Sequence, residues 1–169
     1  MTAEPEDVRL RGVTEDDLEV FLAFEHDPEA VRRSRFTPRP REAFLRHWRT
    51  RILPDPDCLV RTVVVDGEVA GNVVSWTQDD GRRFTGYWLG RPYWRRGVGS
   101  RALGLFLAEE PVRPLYADPF AGNIASVALL EKHGFTRVGA PDEDGHLLLV
   151  LGPALDGRAP AARPAPKTP

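Results

Sequence analysis

The first third of the chain combines one strand-like run with apolar residues at helical spacing. A short strand is predicted over Val8 to Val13, followed by a helix over Leu18 to Phe24 whose start is marked by Thr14. A second helical segment follows and ends at a pair of prolines. Apolar residues three or four positions apart then predict a third helix over Arg41 to Leu53, which Pro54 ends.

The middle of the chain changes to β-branched runs. Leu59 to Val65 and Val69 to Trp76 are joined by Asp66-Gly67, which is typical of a two-residue type I′ turn and predicts an antiparallel hairpin. A further strand is predicted over Phe84 to Leu89. A glycine-rich loop follows this strand, and a helix is predicted from Val98 to Glu110.

The last elements are short and alternate in type. They comprise a strand over Leu115 to Asp118, a helix over Asn123 to His133 with Asn123 as its N-cap, and a hairpin of Thr136 to Gly139 with Leu147 to Leu151. Hairpins come first, and one strand-helix-strand crossover places two strands in parallel. The order predicts a mixed α+β fold.

Composition limits the chain to one core. With 169 residues and 41% hydrophobic content, we expect a single domain over residues 1–152 and a flexible tail over residues 153–169, which are rich in proline and alanine. The formal net charge of −2 provides no general attraction to nucleic acid or to an anionic membrane, so neither is an expected partner.

Location, metal content and assembly follow from a few residues. The polar, acidic start of the chain has no apolar signal region, and the longest apolar run is Leu147 to Leu151, which predicts a cytoplasmic protein. Cys58 is the only cysteine, so no thiolate metal cluster is expected and a small buried filler is predicted. We expect exposed apolar residues such as Trp76 to support a possible homodimer.

The loop from Trp94 to Ser100 is the strongest candidate for chemistry. A helix start leaves backbone N–H groups without intrahelical partners, and Gly97 and Gly99 let such a backbone curl closely around a phosphate. Arg95 and Arg96 add positive charge beside it. The loop therefore predicts a diphosphate-binding site formed mainly by main-chain amides.

The same loop also fits a second class of protein. Gly97 to Ala102 matches the dinucleotide fingerprint G-x-G-x-x-G/A, and Asp118 follows at a suitable distance, so an NAD(P)-binding oxidoreductase is the alternative. A dinucleotide fold places this loop after its first strand and adds repeated strand-helix-strand units. Here hairpins precede the loop and only two helical segments follow it, which favours the first interpretation.

Two stretches of the chain match known sequence motifs. Tyr87 to Gly90, running into Tyr93 to Ser100, is similar to a strand and pyrophosphate loop of the form [QR]-x-x-G-x-[GA], although Trp94 replaces the usual first residue. Asn123 to Phe135 is similar to N-x-A-S-x-x-L-x-E-K-x-G-F. With these two motifs the chain resembles the GNAT N-acetyltransferases, and most closely their ribosomal-protein N-terminal acetyltransferase branch. The resemblance covers roughly Arg9 to Leu151.

The resemblance implies a mostly antiparallel mixed sheet of about six or seven strands, with helices on both faces and a splay between the fourth and fifth strands. It implies that acetyl-coenzyme A is the cofactor, without a metal, and that its pantetheine arm lies in this splay. The residues implied in cofactor binding are Trp88, Leu89, Gly90, Trp94, Arg95, Arg96, Gly97, Val98, Gly99, Ser100, Asn123, Ser126 and Lys132.

The implied reaction is direct acetyl transfer to a primary amine, either a peptide N-terminus or a small molecule. An N–H near Leu89 would stabilise the oxyanion. Relatives often carry tyrosine as the acid at the place of Leu130, which cannot donate a proton. The resemblance to the ribosomal-protein branch, which has a serine at the place of Ser126, makes Ser126 the candidate that assists the departing thiolate. Glu25 is the candidate base, and Asp118 would orient a water or the amine. A coenzyme A-binding module without catalysis is a third hypothesis.

Overall fold

A seven-stranded mixed sheet runs through residues 6–152, which are the part of the chain that this computed structural model describes. The order across the sheet is β1-β2-β3-β4-β5-β7-β6. The strands are β1 (Val8–Arg11), β2 (Leu59–Val65), β3 (Glu68–Thr77), β4 (Arg83–Leu89), β5 (Leu115–Ala117), β6 (Thr136–Val138) and β7 (Leu148–Leu151). Every neighbouring pair is antiparallel except β4 and β5, which are parallel. The expected mixed, mostly antiparallel fold is confirmed.

Five α-helices lie among the described residues. They are α1 (Asp17–Glu25), α2 (Pro28–Ser34), α3 (Arg41–His47), α4 (Val98–Glu109) and α5 (Ile124–Lys132). The helix predicted over Arg41 to Leu53 is divided, because α3 ends at His47 and one π-helical turn, Trp48–Ile52, continues it. Every helix within residues 6–152 is too short or too polar to span a bilayer. The predicted tail, residues 153–169, lies outside the described residues.

The hairpin of β2 and β3 forms as the sequence predicts. Asp66 and Gly67 both have positive φ, at 48° and 84°, as a type I′ turn requires. The twist of this turn matches the twist of the two strands. The strands pair from Val65 opposite Glu68 to Leu59 opposite Ser75, with one bulge between Val63 and Val64.

Helices cover both faces of the sheet, as the alternation along its strands shows. In β3, Val74 and Trp76 pack with α1 and α3, whereas Val73 packs with α4. In β5, Tyr116 joins the first of these clusters, while Leu115 packs on the other face with α5. Central strands are therefore buried on both sides, which explains their continuous apolar runs.

Two expectations about burial differ from what the structure shows. Trp76 is only 1% exposed and stacks on Phe84 with ring centroids 6.2 Å apart, so it is a core residue and gives no support to a dimer surface. Cys58 is half-buried rather than fully buried, and it packs against the core beneath α1 and α3. Both sites lie where helices cover the sheet, which the strand pattern alone does not reveal.

The parallel pair of β4 and β5 separates soon after it begins. Arg83 pairs with Leu115 and Phe84 with Tyr116, but no β5 residue pairs with the five residues of β4 that follow Phe84. On its other edge, β4 stays paired with β3 as far as Leu89 opposite Gly71. The sheet therefore opens between its fourth and fifth strands, as the family resemblance implies.

Candidate active site

The open edge of β4 directs main-chain groups into the splay. The Gly90 N–H donates to the Ala70 carbonyl at 2.9 Å, which makes these two residues a hydrogen-bonded pair. Because such pairs alternate in an antiparallel ladder, the main-chain groups of Leu89 and Tyr87 point away from β3. The Leu89 carbonyl accepts the Trp94 indole N–H at 3.0 Å. The Leu89 N–H thus faces the opening as a hydrogen-bond donor.

The glycine-rich loop lies at the mouth of this opening. It leaves β4 through a 3-10 turn, Arg91–Tyr93, and reaches α4 at Gly97, whose φ is +75°. Glycine adopts this left-handed conformation without the steric cost that other residues incur. Val98, Gly99 and Ser100 then form the first helical turn, where N–H groups have no intrahelical acceptor. The predicted cradle of main-chain amides is therefore present in the backbone geometry.

The two arginines of the loop differ in their surroundings. Arg95 is exposed, and no ion pair within residues 6–152 involves it. The Arg96 guanidinium pairs with Glu6, with Nε to Oε1 at 2.7 Å, and donates to the Pro92 carbonyl at 2.9 Å. Arg96 therefore fastens the loop to the start of the chain, and of the pair Arg95 has the more available charge.

Gly90 and Gly99 have packing roles that the sequence did not indicate. A side chain at Gly90 would meet the Phe24 ring at 2.5 Å, so glycine at this position lets the α1 ring pack against the end of β4. A side chain at Gly99 would lie 3.2 Å from Leu129 and 3.3 Å from Leu89, so this glycine allows α4 to pack closely against both. The place of Gly90 in cofactor binding therefore stays a prediction, beside this packing role.

Helix α5 forms the wall opposite β4. The Ser126 hydroxyl oxygen lies 2.6 Å from the Tyr87 hydroxyl oxygen, which is also 3.2 Å from the Ser126 carbonyl oxygen. Asn123 occupies the N-cap position, as predicted, but its side chain makes no capping hydrogen bond. Lys132 is exposed at the far end of α5, two turns from Ser126.

A second contact joins α5 to the phosphate loop. The Ser100 hydroxyl lies 3.2 Å from His133 Nε2, at the residue where α5 ends. Gly134 follows with φ of +94°, the left-handed conformation expected where a helix ends. The start of α4 and the end of α5 are therefore held side by side.

Glu25 lies on the other face of the sheet. It is 3% exposed, and it accepts the Arg39 N–H at 3.3 Å. The Arg39 guanidinium is 3.7 Å from its second oxygen. Burial raises the pKa of Glu25 to about 7, and the contacts with Arg39 only partly oppose this shift. A carboxyl group with this pKa changes its charge near neutral pH.

Helix α2 and the segment after it cover this face near Trp88. The Trp88 indole N–H donates to the Phe24 carbonyl at 2.9 Å, and its ring packs edge-on against Phe36. Asp27 caps α2 and binds both Nε and Nη2 of Arg91, at 2.8 and 2.6 Å. The covering segment is thus anchored to the end of β4.

Most of the predicted site residues fall into two groups. Leu89, the loop from Trp94 to Ser100 and Ser126 surround the splay, and half-buried Asp118 follows the last residue of β5 on the opposite wall. Trp88 and Glu25 lie on the helix α1 face. Tyr87 was missed as a site residue, although its spacing of two from Leu89 on one strand places both on the same face.

Comparison with known proteins agrees with this architecture. The family model of the acetyltransferase (GNAT) domain matches residues 7–136. This match spans more than half of the chain, so the protein belongs to the GNAT family and is an N-acetyltransferase. Comparison with curated protein sequences gives no match.

Several solved structures share the fold. Aminoglycoside acetyltransferase AAC(6')-Ib, solved with coenzyme A, is 22% identical with a TM-score of 0.69, covering 86% of this chain and 94% of that one. The ribosomal L7/L12 alpha-N-protein acetyltransferase RimL, also solved with coenzyme A, is 17% identical with a TM-score of 0.68, covering 85% and 92%. An acetyltransferase from Thermus thermophilus is 21% identical with a TM-score of 0.71, covering 85% and 96%.

The dinucleotide-binding alternative does not fit this structure. A dinucleotide fold needs a run of parallel strands with the glycine loop after the first of them. Here the loop follows the fourth strand, and β4 with β5 is the one parallel pair among the described strands. The match of this loop to the dinucleotide fingerprint is therefore not accompanied by a dinucleotide-binding fold.

Proposed function

We propose that this enzyme uses acetyl-coenzyme A to acetylate the α-amino group of a peptide or a similar small amine. The main supporting observation is the Leu89 N–H, which faces the splay at the end of the strand that leads into the amides at the start of α4. An amide-rich pantetheine pairs with an open strand edge as a peptide strand would. The diphosphate is matched by the first turn of α4.

The residues proposed to hold the cofactor fall into two sets. Main-chain groups of Trp88, Leu89 and Gly90 border the pantetheine, although the Gly90 N–H is already bonded to Ala70. The set proposed for the diphosphate and the neighbouring wall is Trp94, Arg95, Arg96, Gly97, Val98, Gly99, Ser100, Asn123, Ser126 and Lys132. In this set the amides supply most of the recognition, and Arg95 adds charge.

Each catalytic candidate has one proposed task. Acetyl-coenzyme A supplies the acetyl group as an activated thioester. The Leu89 N–H donates to the carbonyl oxygen where negative charge develops. The Ser126 hydroxyl donates to the sulphur as it leaves. Glu25 accepts a proton from the amine, and Asp118 orients the amine or a water.

The acceptor class is proposed from the chemistry of the base. A peptide α-amino group has a pKa of about 7.7 to 8.0, against about 10.4 for a lysine side chain. A base with a pKa near 7 suits the α-amino group better than the lysine side chain, because a larger fraction of the α-amino group is already neutral near pH 7. Ser126 and Leu130 also fit the ribosomal-protein N-terminal acetyltransferase branch.

Ligand specificity and turnover test this proposal in two steps. We expect acetyl-coenzyme A, but not NADH, to raise the melting temperature, because a ligand that binds only the folded state stabilises it. We then expect thiol release with a peptide that has a free N-terminus and little release with its N-blocked, lysine-containing counterpart. Stabilisation by NADH alone, or turnover only on the blocked peptide, would contradict the proposal.

Glu25 gives a prediction about pH. Its folded pKa of about 7 is above its ordinary value of 4.5, so the unionised form is favoured on folding. Stability is then lost as pH rises from 4.5 through 7, by roughly 3 kcal/mol in total. We expect Glu25→Gln to remove this loss, as measured by urea unfolding across that range.

The matched control for this measurement is Glu42→Gln, at an exposed carboxylate in the first turn of α3. Its stability profile should follow that of the unmodified protein. If Glu25→Gln retained the full loss of stability between pH 4.5 and 7, the assigned titration of Glu25 would be wrong.

A further inference from the structure

A hydrogen bond between Tyr87 and Ser126 spans the two walls of the splay. Tyr87 belongs to β4 beyond the point where β5 stops pairing with it, and Ser126 lies in the first turn of α5. Their hydroxyl oxygens are 2.6 Å apart, a short distance for an O–H···O bond. The two residues are 39 positions apart in sequence, so this is a purely tertiary contact.

The two hydroxyl groups share two protons, and their chemistry decides which one donates. A phenol is a stronger acid than an aliphatic alcohol, so Tyr87 is the better donor and the Ser126 oxygen the better acceptor. The second acceptor near Tyr87, the Ser126 carbonyl, is more distant at 3.2 Å. Burial raises the pKa of Tyr87 to about 12, against a smaller opposing effect of the bond to Ser126, so Tyr87 keeps its proton at neutral pH.

We propose that Tyr87 is a positioning residue that donates to Ser126 Oγ and thereby leaves the Ser126 proton directed into the splay. This inference rests on the proposed function, in which Ser126 donates to the sulphur of coenzyme A. Neither hydroxyl group loses a covalent bond: Ser126 stabilises negative charge on the sulphur by hydrogen bonding. Tyr87 in turn strengthens that donor, because hydrogen bonds in a chain polarise one another.

Without the Tyr87 hydroxyl, Ser126 has a competing use for its proton. A serine in a helix readily donates to the carbonyl three or four residues before it, which here belongs to Asn123 or Gly122. When Ser126 donates its proton to such a carbonyl, the proton no longer points into the splay. Tyr87→Phe should therefore weaken the hydrogen bond from Ser126 to the sulphur, even though it leaves Ser126 in place and retains the aromatic ring.

The equilibrium between thiol and thiolate of bound coenzyme A measures this effect without an acceptor amine. A thiol with an ordinary pKa of about 8.5 is mostly protonated at neutral pH, so a donor at the sulphur raises the thiolate fraction. We expect Tyr87→Phe and Ser126→Ala each to lower that fraction about three- to tenfold, as one hydrogen bond predicts. The thiolate is followed by its ultraviolet absorbance.

The double variant separates positioning from packing. If Tyr87 acts through Ser126, then Tyr87→Phe combined with Ser126→Ala should have no larger effect than Ser126→Ala alone. Tyr116→Phe is the matched control, because it removes a hydroxyl from a β5 tyrosine on the opposite face of the sheet. Its thiolate fraction should equal that of the unmodified protein.

A fluorinated tyrosine at position 87 provides a second test with ring and hydroxyl retained. Its more acidic phenol is a stronger donor, so we expect a thiolate fraction above that of the unmodified protein. A normal thiolate fraction in coenzyme A-bound Tyr87→Phe, or additive effects in the double variant, would overturn the inference. Calorimetry that detected no coenzyme A binding to the unmodified protein would instead overturn the proposed function.

Discussion

Glu110→Ala is expected to lower the free energy of unfolding by about 3 to 5 kcal/mol, the usual cost of breaking a buried ion pair. Glu110 is 1% exposed, and one of its oxygens accepts a bond from Arg83 Nη2 at 3.0 Å and another from the Ser75 hydroxyl. Truncation leaves the buried Arg83 guanidinium with only part of its partners. Urea unfolding monitored by circular dichroism gives the difference directly.

Glu109→Ala is the matched control, one residue earlier in the chain. Glu109 pairs with Arg61 at 3.2 Å on the surface, where such pairs contribute about 0 to 1 kcal/mol. If both variants lost the same free energy of unfolding, the stabilising role assigned to the buried pair of Glu110 and Arg83 would be wrong.

The same pair predicts acid sensitivity. Burial alone would raise the pKa of Glu110, but hydrogen bonds from Arg83 and Ser75 outweigh it and hold the pKa below 4.5. The stabilisation is therefore present above pH 4.5 and is lost as the pH falls through the lower folded value.

Gly97→Ala is expected to weaken coenzyme A binding about 5- to 30-fold, as 1 to 2 kcal/mol of left-handed strain implies. Gly97 has φ of +75°, and a side chain there would have no neighbour within 4 Å, so the strain is conformational rather than a clash. An alanine favours another backbone geometry, which turns the amides of Val98 and Gly99 away from a common point. Calorimetric titration with coenzyme A measures the change.

Gly139→Ala is the control, because it introduces similar backbone strain outside the proposed cofactor site. Gly139 has φ of +71° with no neighbour within 4 Å, and it follows β6 rather than β4. Its variant should show a similar loss of stability with unchanged affinity for coenzyme A. Equal weakening of affinity by both glycine variants would exclude a specific role for Gly97.

Local sequence signals predicted most of the fold. Asp66-Gly67 is a local turn signal, so the antiparallel hairpin followed from neighbouring residues. The single crossover between Leu89 and Leu115 fixed the parallel pair. Each of these features depends on residues that are close in sequence.

The remaining features depend on contacts between distant segments. The bond between Tyr87 and Ser126 and the pairing of Arg96 with Glu6 each join residues 39 or more positions apart. Trp76 was misplaced as an exposed residue because its burial depends on Phe84 and on the helices that cover this face of the sheet. The packing role of Gly90 depends on the Phe24 ring, which lies 66 positions earlier in the chain and with which a side chain at position 90 would clash.

Titration of the amide-labelled protein with coenzyme A, followed by NMR, tests the central claim most directly. If the open edge of β4 and the start of α4 bind the cofactor, the amide signals of Leu89, Val98, Gly99 and Ser100 should shift most, while that of Gly139 stays in place. Binding that shifted signals elsewhere and left these four amides unchanged would contradict the proposed site.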